Sequence, residues 1–134
     1  MSVVERDRVS ADAAAERVHD SIRRSVDRDP LLDGSALRAR LDCSTEIAEF
    51  SACALVVEAV PEDRALKEEA LSRAEAAMHD DAILASNTSS ISIDDLATNR
   101  ARPETFLGLP TTYRAGAWPQ LLATMQRDKK SRGG

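Results

Sequence analysis

Aromatic side chains, cysteines and long apolar runs are all scarce in this chain of 134 residues. Aromatic residues make up 3% of the sequence, so the core must consist mostly of alanine, valine, leucine and isoleucine, which suit parallel strands covered by helices. Cys43 and Cys53 could form a disulfide, but we favour two small buried thiols in a cytosolic protein. No apolar run approaches the ~20 residues that cross a bilayer, and the N-terminus lacks a signal-peptide pattern. We therefore expect a cytoplasmic protein that does not associate with membranes.

An excess of positive charge is also missing. The chain has 18 basic and 23 acidic residues and a net charge of −5. This balance argues against a nucleic-acid partner, because such a partner would need a basic face. Apolar residues make up 43% and charged residues 31%, which is ordinary for a soluble globular domain. We expect one domain at this length and predict no metal site.

The first half of the sequence predicts a strand end followed by helices. Val3-Val4-Glu5 is typical of the end of a strand, and Ser10 is the expected N-cap of the next helix. Apolar residues of this helix recur at spacings of four, three, four and four, and so share one face: Ala11, Ala15, Val18, Ile22 and Val26. Asp29-Pro30 should end the helix, and a short helical turn is expected from Asp33-Gly34-Ser35 through Leu41.

The second half alternates buried strands with helices. Apolar runs predict strands over 54–60 and 82–85, with a last short strand over 106–109. A helix is expected from Pro61 to about His79, with four apolar residues turned inward: Leu66, Ala70, Ala74 and Ala77. Asp63 and Lys67 should pair on its surface, and Ser90 or Ser92 should cap a short helix over 91–97. This alternation predicts an α/β fold with a parallel sheet.

Four segments, in this order and spacing, resemble the NAD-binding domain of the L-3-hydroxyacyl-CoA dehydrogenases, including the 3-hydroxybutyryl-CoA dehydrogenases. They are Leu55-Val-Val-Glu-Ala-Val-Pro-Glu-Asp63, Leu66-Lys67, Ile83-Leu-Ala-Ser-Asn-Thr-Ser-Ser90 and Phe106-Leu-Gly-Leu109. The resemblance implies a Rossmann-like doubly wound parallel sheet. The implied reaction is NAD-dependent oxidation of L-3-hydroxyacyl-CoA to 3-ketoacyl-CoA, a step of fatty-acid β-oxidation. We therefore predict a partial NAD-binding domain over 1–109 and a divergent, partly disordered tail over 110–134.

The same resemblance implies four cofactor-binding residues. Glu5 matches the acidic residue that holds the adenosine ribose hydroxyls, a task that suits a carboxylate. Glu62 and Lys67 match positions near the nicotinamide, although each could be an ordinary surface charge on a first helical turn. Ser89 matches the serine between the nicotinamide and the reacting hydroxyl, so it is both a cofactor-binding and a substrate-orienting candidate. Serine is also common in turns and helix caps.

Two further positions match residues that lie near coenzyme A in this family. Ser21 on the first helix resembles a position that contacts coenzyme A, and Arg28 stands where the family can place a lysine near the same ligand. Both could equally be solvent-facing helix residues. The resemblance therefore implies an acyl-CoA substrate beside the NAD cofactor.

Two elements of the family pattern are missing from the sequence. The five glycines form no G-x-G-x-x-G loop. We expect the first strand and the start of the pyrophosphate-binding helix to be absent together with that loop. The loss of this central strand would separate the two halves of the sheet. Pro110 follows Gly108-Leu109 where the family has its acid/base histidine, and proline cannot transfer a proton. His19 and His79 are expected to be exposed helix residues.

These absences leave three interpretations open. The first is an enzyme-family fragment that is inactive as this single chain. The second is a non-catalytic module that binds nucleotide or coenzyme A, or that pairs with a protein supplying the missing strand. The third is a degenerate product that folds poorly.

Overall fold

The computed structural model describes residues 1–109. Its first half contains two strands and three helical segments: β1 (Ser2–Val4), α1 (Arg8–Arg28), α2 (Gly34–Ala39), β2 (Asp42–Ser44) and a 3₁₀-helix (Ile47–Ala52). Its second half contains three strands and three helical segments: β3 (Leu55–Glu58), α3 (Arg64–Ala77), β4 (Ile83–Ser86), α4 (Ile93–Ala97), a 3₁₀-helix (Pro103–Thr105) and β5 (Phe106–Gly108). The prediction of a disordered tail concerns 110–134 and lies outside the described residues.

The strands form two sheets. β1 and β2 pair in parallel, with Val3 opposite Cys43. The second sheet has the order β3-β4-β5, and β4 and β5 are parallel, with Ala85 opposite Leu107. Parallel strands joined by helices confirm the predicted α/β class, because a parallel connection needs a crossover segment.

The described chain divides into two compact units. The first comprises Met1–Val56 and Ser72–Ala82, and the second comprises Val57–Leu71 and the described residues from Ile83 onward. Buried apolar side chains of the first unit are Ala11, Ala14, Val56, Ala74, Met78 and Ala82. Those of the second unit are Leu71, Leu84, Ala85, Leu96 and Leu109. Small aliphatic residues fill both cores, as expected from the shortage of aromatics.

The N-cap of helix α1 stands three residues before the predicted one. Its N-cap is Asp7, whose carboxylate accepts a hydrogen bond of 2.7 Å from the Ser10 amide. The prediction of Ser10 as the cap was therefore wrong, because Ser10 supplies the capped N–H and not the cap. The predicted apolar face is confirmed: Ala11 is buried and Ala15, Val18, Ile22 and Val26 are partly buried. The helix ends before Asp29, as predicted.

Neither β2 nor the 3₁₀-helix that follows it was predicted. Both elements are short. Strand β2 is stabilised by pairing with β1, about 40 residues earlier, and its three residues are too few for an alternation of apolar and polar side chains that would predict a strand. Strand β3 is also shorter than the predicted run over 54–60. Helix α3 begins at Arg64 and not at Pro61, because the Asp63 carboxylate accepts a hydrogen bond of 3.0 Å from the Leu66 amide and so caps the helix there.

The inward face of α3 agrees with the prediction at buried Ala74 and differs from it at Leu66. Leu66 is 49% exposed, whereas Lys67 is fully buried, together with Leu71, Ala74 and Met78 at spacings of four, three and four. The predicted surface pair of Asp63 and Lys67 was therefore wrong. A lysine can replace an apolar residue on the buried face only where acceptors surround its ammonium group.

Smaller predictions can be checked at single residues. Ser92, one of the two predicted alternatives, caps α4 by accepting a hydrogen bond of 3.3 Å from the Asp95 amide. Cys43 and Cys53 are free, partly buried thiols, and burial raises the pKa of Cys43 above its usual value. His19 and His79 are exposed, as expected. Within residues 1–109 no helix has the length and apolarity to cross a membrane.

Gly108 in β5 gives a test of the packing in the second unit. A Cβ at this position would lie 2.5 Å from Cγ1 of Ile93, so Gly108→Ala should lower the free energy of unfolding by about 1–3 kcal/mol through overpacking. Gly34→Ala is the matched control, because its Cβ would lie 3.1 Å from Cγ2 of Val26 at the start of a helix, where alanine is favoured. Urea denaturation measures both, and equal stability of the two variants would contradict the close packing of Gly108 and Ile93.

Candidate functional site

The carboxyl ends of β3, β4 and β5 meet at one edge of their sheet. The Asn87 amide donates a hydrogen bond of 2.9 Å to the Glu58 carbonyl, and the Leu109 amide donates one of 2.9 Å to the Ser86 carbonyl. In open α/β sheets, ligands bind outside this edge. The polar segments that follow β3 and β4 are therefore the candidate site.

Glu58, the last residue of β3, is a buried carboxylate with a partner for each oxygen. Its Oε1 accepts hydrogen bonds from the Val60 amide at 2.6 Å and from Lys67 Nζ at 2.9 Å. Its Oε2 accepts a hydrogen bond of 2.5 Å from the Ser86 hydroxyl, at the end of β4. The carboxylate thus joins the ends of two strands to α3.

Lys67 contributes the matching cation. Its ammonium group donates to Glu58 Oε1 and to the Val60 carbonyl, both at 2.9 Å, and lies 3.1 Å from Glu62 Oε1. Burial disfavours the charged form, but hydrogen bonds to Glu58 and Glu62 outweigh it and raise the pKa of Lys67 above its usual value. All three N–H donors therefore have acceptors within the protein.

Glu62 connects this buried pair to the surface. Its side chain is 37% exposed, and its Oε1 faces Lys67. Its Oε2 accepts hydrogen bonds from the Thr88 hydroxyl at 2.8 Å and from the amide and hydroxyl of Ser90. The bonds from Ser90 and Thr88, assisted by Lys67, lower the pKa of Glu62 from 4.5 to about 2. Glu62 is therefore a charged acceptor over most of the pH range.

Ser89 lies between the two residues that Glu62 holds. Thr88 is buried, whereas Ser89 is exposed. Within residues 1–109 the Ser89 hydroxyl is an exposed donor and acceptor at the carboxyl edge of the sheet. Of the predicted site residues, Glu62, Lys67 and Ser89 are thus brought together in one hydrogen-bonded region.

The other predicted site residues belong to the first unit. Glu5 directly follows β1, is partly buried, and its amide donates a hydrogen bond of 2.9 Å to the Ser44 carbonyl. Ser21 and Arg28 are both exposed on α1, and Arg28 Nε donates to the Arg24 carbonyl at 3.2 Å. Seven residues separate Ser21 from Arg28, so they share a helix face about 10 Å apart along the axis.

Sequence reasoning missed the roles of Glu58, Ser86, Thr88 and Ser90. A signal was present for Glu58, because a charged residue inside a valine-rich buried strand requires a partner. Lys67 supplies the matching signal, since it stands four and seven positions before Leu71 and Ala74 on the inward face of α3. These two signals together would have predicted a buried ion pair. The hydroxyl partners depend on tertiary contacts 26 to 28 residues apart.

The lowered pKa of Glu62 gives a test by pH. A carboxylate whose pKa is lower in the folded state stabilises the fold fully above pH 4.5, and this contribution is lost as the pH falls towards 2. We expect Glu62→Gln to flatten the decline in stability over this range. Glu69→Gln is the control, because Glu69 is exposed on α3, and this variant should keep the wild-type decline. Urea unfolding at several pH values measures the free energy of unfolding of each variant. Identical pH profiles for wild type and Glu62→Gln would contradict the hydrogen bonds that the structure gives to Glu62.

Sequence comparisons identify relatives of this chain. The family model of the 3-hydroxyacyl-CoA dehydrogenase NAD-binding domain matches residues 1–110. The chain is 44% identical over 71 residues to the fatty acid oxidation complex subunit alpha of Acinetobacter baylyi, covering 53% of this chain and 10% of that protein. It is 40% identical over 70 residues to a probable 3-hydroxybutyryl-CoA dehydrogenase of Deinococcus radiodurans, covering 52% of this chain and 25% of that protein. The chain thus spans a quarter or less of these two relatives.

Solved structures agree as well. The (S)-3-hydroxybutyryl-CoA dehydrogenase of Ralstonia eutropha is similar with a TM-score of 0.74 and 30% identity, over 80% of this chain and 38% of that one. The 3-hydroxybutyryl-CoA dehydrogenase of Escherichia coli K12 gives a TM-score of 0.70 and 27% identity, over 81% of this chain and 23% of that one. These likenesses confirm the predicted Rossmann-like fold. The chain belongs to the 3-hydroxyacyl-CoA dehydrogenase family, in which it represents the NAD-binding domain.

Proposed function

We propose that this chain forms the nicotinamide side of an NAD site that serves the oxidation of L-3-hydroxyacyl-CoA to 3-ketoacyl-CoA. The observation that carries the proposal is the hydrogen-bonded region in which Glu62 holds Thr88 and Ser90 on either side of exposed Ser89. It lies at the carboxyl edge of a parallel sheet, where dinucleotides bind in such folds. Its position in the chain agrees with the family match.

The residues present fit the nicotinamide end of NAD, with a division of roles. Ser89 and the 37% exposed Glu62 can contact a ligand directly. Lys67 is fully buried and its ammonium group already has three acceptors, so it does not contact a ligand and instead holds the Glu62 carboxylate. Glu5 is proposed as the partner of the adenosine ribose, because a carboxylate after a parallel strand can accept two hydrogen bonds from a diol.

When bound, NAD would supply the hydride acceptor of the reaction. The contribution of this chain would be to orient the reacting hydroxyl through Ser89, since a serine hydroxyl can donate one hydrogen bond while it accepts another. Pro110 stands in the sequence where the family has its acid/base histidine, and proline cannot remove a proton. We therefore propose binding without turnover for this chain alone.

Coenzyme A is proposed to meet α1. The guanidinium of Arg28 is an exposed cation in the last turn of the helix and suits a phosphate group. Ser21 lies two turns earlier on the same face and offers a hydroxyl.

A cytoplasmic location and a partner protein that supplies a further strand stay predictions. The position of β3 at the end of its sheet supports such a partner, because an edge strand can pair with another chain.

Titration with NADH tests the proposed site. Binding to the full chain should raise the nicotinamide fluorescence, and Ser89→Ala should weaken the affinity about fivefold, the effect of one hydrogen bond. Ser35→Ala, an exposed serine on α2, is the matched control and should bind as the wild type does. The proposal is wrong if the wild-type chain leaves NADH fluorescence unchanged.

A second measurement tests the absence of turnover. The purified chain, mixed with NAD and L-3-hydroxybutyryl-CoA, should produce no NADH, because the general base of the reaction contributes about 10²–10⁴-fold and Pro110 replaces the family's histidine in the sequence. NADH absorbance over hours is the readout. Turnover that survives further purification would show that another group removes the proton.

A further inference from the structure

The buried pair of Glu58 and Lys67 is connected to solvent through one side chain. The side chains of Lys67 and Glu58 are 0% and 3% exposed, so neither can touch a bound ligand directly. Every donor of Lys67 and both oxygens of Glu58 are engaged inside the protein. Lys67 also contacts Glu62, whose carboxylate reaches the surface.

A contribution to stability alone does not account for the buried pair of Glu58 and Lys67. A buried ion pair is weak evidence for stability, because apolar residues of similar size often serve as well or better in its place. An apolar pair could equally fill the space between β3 and α3. It could not provide a cation for the Glu62 carboxylate.

Glu62 connects Lys67 to the segment that follows β4. One of its oxygens faces Lys67, and the other accepts hydrogen bonds from both neighbours of Ser89. The Ser86 hydroxyl, which donates to Glu58, fixes the start of the same segment. The two carboxylates therefore hold residues 86–90 at both ends.

We propose that Glu58 and Lys67 are positioning residues, which touch no ligand but fix the Glu62 carboxylate and thereby the exposed Ser89 hydroxyl. The importance of Ser89 for the cofactor rests on the proposed function. The geometric relationship among these side chains does not, and it can be measured without nucleotide.

The decisive variant removes both buried charges together, as Glu58→Leu with Lys67→Met, so that no unpaired charge remains. NMR of the full chain would measure the pKa of the Glu62 carboxyl and the hydrogen exchange of the Ser90 amide. We expect this pKa to rise by about one unit or more from about 2 towards 4.5. The exchange should become about tenfold faster.

Glu68→Gln is the matched control. Glu68 lies beside Lys67 in α3 and forms another ion pair of 2.6 Å, with the buried guanidinium of Arg100. This variant should lower the melting temperature but leave the Glu62 pKa and the Ser90 exchange at wild-type values. A folded double variant that also keeps the wild-type values would overturn the proposal.

Glu58→Gln provides the test if the double variant does not fold. Loss of one of two carboxylates should lower the pKa of Lys67, and the ¹³Cβ signal of Ser90, which does not exchange with solvent, should shift with the same midpoint. A Ser90 signal that stays still while Lys67 titrates would overturn the proposal.

NADH titration of the same variants separates the two proposals. If the wild type binds NADH, the double variant should bind about tenfold more weakly, whereas Glu68→Gln should bind as the wild type does. Unchanged affinity in the folded double variant would exclude a positioning role in binding. A wild type that does not bind NADH contradicts the proposed function, while the nucleotide-free measurements still decide the positioning.

Discussion

The contact between Lys67 and Glu58 joins helix α3 to the end of β3 at the edge where the candidate site lies. A lysine on the buried face of a helix is tolerated because a carboxylate and a carbonyl from the end of β3 receive its protons. Removing one partner alone would leave an uncompensated buried charge, at a cost of about 3–5 kcal/mol. The pair therefore fixes how the end of β3 meets α3, and the polar segment after β4 is arranged around that junction.

Local pattern was sufficient to predict the parts of the fold whose conformation is set by neighbours in sequence. The apolar face of α1, the end of that helix at Asp29 and the valine-rich strand β3 are of this kind. Strand β2 is different, because three residues acquire their conformation from a partner strand about 40 positions away. The cap of α1 was misplaced because Asp7 and Ser10 are both good capping residues, and only geometry distinguishes donor from acceptor.

The candidate site shows the same division. The Ser86-Asn-Thr-Ser-Ser90 segment, which begins at the last residue of β4, is recognisable from sequence as a polar edge and as the centre of the family resemblance. The burial of Lys67 was not, because spacing alone treats lysine as a surface residue and assigned it to Asp63. Its actual partner Glu58 stands nine positions earlier, at the end of β3. The side chain of Glu58 is buried, so its carboxylate needs a partner inside the protein. Contradictions between residue type and predicted burial are thus informative about function.

Glu62 holds both neighbours of Ser89 with a single oxygen atom. A hydroxyl on a free loop loses conformational entropy when a ligand orders it, and that loss weakens binding. Here the hydrogen bonds of Glu62 hold the residues on both sides of the hydroxyl in the folded chain. For the proposed contact between Ser89 and the cofactor, the consequence is a preorganised hydrogen-bond donor, whose strength towards the ligand would depend on a carboxylate that the ligand need not touch.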